Sequence, residues 1–548
     1  MKRFPKIKQF TKTWQFAALM GCLVGLVFFV LFYGVKTLNP TFIDWIFSTP
    51  AHDSAQHYFG WAFFKAEGWT WPPGAIKGLA YPFGQAIIFM DSIPLLAIIF
   101  KVLSPILPTT FQYFGLWTLA CYMLMGGLSA LCIRHFTKNP LITTIGAIFF
   151  VSTPLLIFRS FWHPALAGQW IVLAGIFLLL KHRLLSRNLK KFITYWTILM
   201  VVTTLIHPYF LPITGGLLVI ALAIDHKNWR KTLLGLAVPI VTAFLAFYLA
   251  GGLAVPDNAF GGGLESKAFH LDGFWNPQGF SIFSHSNYPI YTEGLAYLGL
   301  GILALAIFTA IVALVQKKHL FKPIKRKVWL PVTIVLAGFL LFALSPSIQF
   351  GDKTLFTVPW PQFVISIWNI FRACGRLVWP VYYLLMLGIL VAYIRLSSKW
   401  RIWGVIILLI FAGIQLADIT LSPRARDRHN AIMAMQQESN TPKVLALSPI
   451  VTTQKHLVIL DGKFTGNMEE FPRMALTALY YNLTLNTGHF ARYPSGLEDF
   501  QHQQIQNLKT GKADVWANLY MTTDATLIKS LANKYHIKQI EKYFFITQ

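Results

Sequence analysis

Two unbroken runs, AALMGCLVGLVFFVLFYGV (17–35) and YLGLGILALAIFTAIVALV (297–315), constrain this chain more than any other feature. Each is close to the ~20 residues a helix needs to cross ~30 Å of hydrocarbon. A surface helix or a half-buried strand would interrupt its apolar residues at a period of about 3.6 or 2. These runs show neither period, and similar blocks recur up to about residue 421. Only 12% of the 548 residues are charged, and the mean hydropathy is +0.54. A soluble domain carries about 25% charged residues. The expected fold class is an α-helical polytopic membrane protein.

The formal net charge of +26 does not point to nucleic acid. The basic residues sit in short tracts between apolar runs: KHRLLSRNLKK, DHKNWRK, QKKHLFKPIKRK and YIRLSSKWR, with MKRFPKIKQFTK at the start. Such tracts mark cytoplasmic loops, and no basic-aromatic surface module accompanies them. The connections around His207, at 251–296 and 345–379, and everything after about 421 then face outward. The long connections fall on that side, which makes the outer face the working face. Asp91-Ser92-Ile93-Pro94 reads as a helix start, with a capping side chain and an early proline. From there to Ser104 is about a dozen residues, ~18 Å of helix and too short to span. The expectation is a half-helix there and eleven full crossings. If that segment does cross, the total is twelve and the RHFTKN tract lies on the other side.

Leu19-Met20-Gly21-Cys22 faintly resembles a lipoprotein cleavage box, but the apolar run continues past Cys22, as in an uncleaved anchor. The four cysteines form no CxxC pattern and support neither a disulfide framework nor a cysteine metal site. Beyond Arg424 polar residues dominate. The apolar runs there shrink to HLVIL and NLYMTT, alternating with the helix-like FPRMALTALYYNL and DATLIKSLANKY. The reading is a membrane domain, 1–422, and a small α/β extracytoplasmic domain, 423–548.

The densest polar cluster beside the first span is His52-Asp53-Ser54-Ala55-Gln56-His57. In a helix, Asp53 and His57 share a face at i and i+4. A carboxylate there suits removal of a proton from an acceptor hydroxyl, although Asp53 is also a good helix cap. Asp91 lies in an apolar stretch, where an ionisable group is functional by default. Arg159, Arg372 and Arg376 fall at the outer ends of spans, against the positive-inside trend, and ask for an anionic partner. Guanidinium forks match phosphate oxygens; the structural alternatives are ordinary headgroup contact or an ion pair with Glu293. His52, Gln56, His163 and Glu293 are the candidate substrate contacts. No Walker sequence, HExxH or supported GxSxG appears, which removes the usual basis for ATP-driven transport, zinc proteolysis and serine hydrolysis.

HDSAQHYFGWAFF, YPFGQAIIFMDSIPLLAIIFK, YTEGLAYLGLG and FRACGRLVWP, in that order, resemble an uncharacterised bacterial membrane family. That family has the core of the glycosyltransferase C superfamily, and the resemblance reaches the tail at NTGHFAR (486–492). It implies inverting transfer of a sugar from a polyprenyl-phosphate carrier to a cell-envelope glycan or lipid acceptor, at a bacterial inner membrane. Asp53 matches the first-loop catalytic carboxylate, with His57 and Asp91 as the further catalytic candidates. No cofactor is fixed: some superfamily members use a divalent cation, but neither Asp91 nor Glu293 matches their second carboxylate motif. The competing expectations are a transporter or flippase for lipid-linked saccharides, an O-antigen polymerase or ligase, and a binding tail on a membrane anchor.

Overall fold

The computed structural model describes residues 13–47, 53–224, 229–255, 257–258, 267–284, 293–318, 325–370, 373–437, 441–448, 450–461, 470–490 and 492–547. Among the described residues, seven helices are long and apolar enough to cross a membrane, and four more apolar helices are shorter. The chain is therefore mostly helical and compatible with a multi-pass membrane protein. The first long helix, α1 (Trp14–Tyr33), packs along α4 (Phe114–Arg134) at very close range. Small residues allow this: a Cβ added at Gly21 would lie 2.2 Å from the Gly126 carbonyl oxygen, and one at Gly25 2.1 Å from that of Tyr122. Gly21 and Gly25 form a GxxxG pair, the spacing that lets apolar helices approach backbone to backbone.

Between these helices lie two shorter ones, α2 (Ser54–Ala66) and α3 (Pro94–Val102). The short helix expected after Asp91 is present, with Pro94 in its first turn, but neither Asp91 nor Ser92 caps it. Ile93 holds the cap position at φ 53°, and the Ser92 hydroxyl donates to the His57 carbonyl instead, at 2.6 Å. Beyond α4, the short α5 (Pro154–Arg159) leads into a tight turn, and α6 (Leu189–Ile206) ends where Pro208 excludes helical backbone at His207. Two later long helices are α7 (Trp379–Leu396) and α8 (Ile402–Thr420). Buried Asp418 on α8 accepts from the Ser281 and Tyr297 hydroxyls and from the Ile282 and Leu300 amides. It thereby anchors both flanks of the segment that carries Glu293.

After α8, Ser422 caps α9 (Pro423–Met435), which lies back on α1: His429 bonds to the Phe32 carbonyl at 2.7 Å. A five-stranded sheet follows, built from β1 (His456–Ile459), β2 (Thr484–Leu485), β3 (Asn518–Thr522), β4 (His536–Ile540) and β5 (Tyr543–Thr547). Its order is β4-β5-β3-β1-β2, with β1 parallel to both β2 and β3, and β5 antiparallel to its neighbours. Helices at Phe471–Tyr480, Leu497–Thr510 and Ala525–Leu531 cover it. The two expected strands are β1 and β3, and two of these helices are the two expected ones. This small domain docks on the helical part through backbone. Leu485 forms a parallel bridge to Leu79, and Tyr493–Pro494 pairs with Asp257–Asn258. The rings of Tyr81 and His456 stack at 3.9 Å.

Candidate functional site

The residues around Asp53 decide what its carboxylate is for. Asp53 precedes α2 with helical backbone, and its side chain makes no capping bond. The His57 amide still donates to its carbonyl at 3.0 Å, so the two side chains share a face as the spacing implied. Free of capping, the carboxylate contacts His163 Nε2 through Oδ2 and stands 3.4 Å from His489 Nε2 through Oδ1. Burial pushes this carboxyl up, but His163 and His489 outweigh that and hold it well below the usual carboxylate range.

His163 lies in the turn after α5, where its amide bonds to the Arg159 carbonyl at 2.9 Å and Phe161 is forced to φ 64°. Trp117 pins the turn by donating to the Pro164 carbonyl at 2.6 Å. Asp91 sits at φ 54°. Non-glycine residues rarely hold such angles, and those that do cluster at functional sites. Asp91 Oδ1 is 3.2 Å from His207 Nε2, and Oδ2 is 3.8 Å from His57 Nε2. His207 takes the Tyr209 amide proton at Nδ1, at 3.0 Å, so its own proton is on Nε2 and points to Asp91. Burial pushes the Asp91 carboxyl up, but the neighbouring histidines bring it to about 2. Burial also lowers His57, to about 4, against the opposing pull of Asp91. Two carboxylates and four imidazoles thus form a row, from His489, Asp53 and His163 past His57 to Asp91 and His207, with His163 and His57 adjacent at its middle.

Beside this row, Arg159 and Arg376 both donate to Glu293 Oε2, at 2.6 and 2.5 Å. The ion pair with Glu293 is therefore formed, and two guanidinium groups meet a single carboxylate. Burial pushes Glu293 up, and the two arginines more than reverse it. The Arg376 guanidinium also lies 4.6 Å from the Tyr209 ring centre; burial lowers His207 against the pull of Asp91, and the Arg376 charge adds to the lowering.

Asp53, His57, Asp91, Arg159, His163, Glu293 and Arg376 are brought together as a set, with Gln56 buried on α2. His52 and Arg372 lie outside the described residues. Two site residues were not singled out from sequence. His207 shares with His163 a His-Pro dipeptide at the end of an apolar stretch, a signal that was there to be read. His489 lies in the NTGHFAR stretch, in a polar domain where one more histidine carries no weight.

Fold and site define a class: a polytopic-type helical chain whose row of carboxylates and imidazoles, partly buried, is completed by a small C-terminal domain. Residues 22–420 match the family described as Domain of unknown function (DUF6311), and residues 446–548 match the DUF6311 C-terminal domain; the chain belongs to this family. No curated protein and no solved structure matches it.

Proposed function

We propose that the protein is a membrane-embedded glycosyltransferase that moves a sugar from a polyprenyl-phosphate carrier to an extracytoplasmic glycan or lipid acceptor. The observation that carries this reading is Asp53, which heads α2 without capping it and turns its carboxylate to His163 and His489. A half-buried carboxylate with imidazoles on both oxygens is a proton-handling group. The Asp53–His163 pair acts as one unit, taking the proton of the acceptor hydroxyl as that oxygen attacks the anomeric carbon. The lipid phosphate leaves with its electron pair. Arg159 and Arg376 share one carboxylate, so the trio keeps an excess positive charge to meet the departing phosphate. Seven apolar helices of spanning length among the described residues support a multi-pass protein. In the orientation set by the basic tracts, the site and the C-terminal domain face outward from a bacterial inner membrane.

Asp53→Asn tests the mechanism. Asparagine keeps the shape and much of the hydrogen bonding but cannot accept the proton. The purified variant should fold and bind polyprenyl-phosphate sugar while its transfer rate falls at least ~100-fold. Near-normal turnover would end the base assignment.

A further inference from the structure

His57 is buried on all sides, its side chain 0% exposed, and neither ring nitrogen has a hydrogen-bond partner. A neutral imidazole has one donor and one acceptor, and a buried polar group left unmade is a standing cost that asks for an explanation. Its Nε2 stands 3.8 Å from Asp91 Oδ2, too far for a hydrogen bond. Two ligand atoms each about 2.0–2.2 Å from a tetrahedral zinc ion are roughly 3.3–3.6 Å apart. The gap is thus close to that of two ligands sharing one ion. His163 supplies a third: one ligand atom from each of His57, Asp91 and His163 lies within 4.8 Å of the other two. We propose that these three residues bind a first-row divalent cation, zinc foremost, a property that goes beyond the transferase reading and does not depend on it.

The contacts behind the three ligands have the form a metal site needs. Asp91 has Oδ1 held by the Nε2–H of His207, which leaves Oδ2 for the ion. His163 is gripped at Nε2 by Asp53, while its Nδ1 is buried without a partner. Both contacts fix ligand orientation, and the carboxylate behind His163 also raises the basicity of that imidazole. Two imidazoles and one carboxylate suit zinc, whereas calcium and magnesium favour all-oxygen sets. Three protein ligands leave the fourth position for water or an anionic substrate oxygen. The side chain of His163, 21% exposed, marks the side from which ion and substrate arrive.

The test uses the full chain in detergent, stripped with a chelator and dialysed against zinc alone. Elemental analysis should find about one zinc per chain, and Co²⁺ in its place should give the visible absorption of a four-coordinate nitrogen–oxygen site. His57→Gln, Asp91→Asn and His163→Gln should each weaken zinc binding by more than about tenfold, the low end of what even an outer partner contributes. Zinc should also raise the unfolding midpoint of the wild-type chain and leave that of the triple variant unmoved. A wild-type chain that holds no zinc and shows no cobalt absorption overturns the proposal, whatever the variants do. Zinc binding indifferent to all three substitutions overturns it as well. No sugar donor enters these measurements, so the transferase reading and the metal site stand or fall separately.

Discussion

Glu293 shows how much a single side chain organises here. Both arginines converge on its Oε2, and it is these cations that keep a largely buried carboxyl ionised. A carboxyl whose folded pKa lies below its unfolded value, near 4.5, adds stability that is complete above that value. That stability is lost as pH falls through the lower, folded value. Glu293→Gln should therefore flatten the acid limb of the unfolding midpoint below about pH 4.5. At pH 7 it should cost about 3–5 kcal/mol, because it leaves two guanidinium groups facing each other without the carboxylate between them. Midpoints of the two proteins that run parallel from pH 7 to pH 3 would show that the trio is not coupled to folding. At this scale much of the site was legible in the sequence. In a chain this apolar, Asp53, Asp91, Arg159 and Glu293 stand out because each charge must be answered by something. What was not legible is which charge answers which, since that depends on turns such as the one that forces Phe161 to φ 64°.

The helices themselves hold few surprises, because an apolar run of twenty residues has little choice of structure. How closely two of them approach is another matter, and for α1 and α4 it rests on glycine. Leucine at Gly25 would have to displace the Tyr122 carbonyl, so Gly25→Leu should destabilise the chain by about 1–3 kcal/mol, read as a lower unfolding midpoint. Gly413→Leu, on α8, is the control, since a Cβ there meets nothing within 4 Å and the midpoint should hold. Equal effects from the two would mean that bulk alone, and not the α1–α4 contact, is being measured. The consequence extends past packing: Tyr122 also meets the hydroxyls of Tyr33, at 2.8 Å, and of Ser160, at 3.2 Å, which ties this interface to the turn bearing His163. Among the sheet elements, β1 and β3 were visible as apolar runs. The β4–β5 hairpin was not, because β4 (HIKQI) is an exposed edge with mixed composition, and its partner is recognised only once the chain has turned.

For the molecule as a whole, the proposed orientation makes opposite predictions for the C-terminal domain and the basic tracts. Single cysteines at Gln503, in the C-terminal domain, and at Lys318, in a basic tract, provide the readout in a cysteine-free background. With an impermeant reagent on intact spheroplasts, the first should react and the second should stay silent until the membrane is opened. Reaction at Lys318 alone would place the row of histidines on the cytoplasmic side and remove the basis for a polyprenyl-phosphate donor presented outside. The docked C-terminal domain also has a bearing on how the protein is made. Its His489 stands 3.4 Å from Asp53 on a segment held by the Leu485–Leu79 bridge and the pairing of Tyr493–Pro494 with Asp257–Asn258. A ribosome that stalls before this segment releases a polypeptide that has all of its apolar helices and lacks one side of its own centre. Such a fragment loses the imidazole beside Asp53 Oδ1, so the surroundings of the first loop are settled by a segment made long after it.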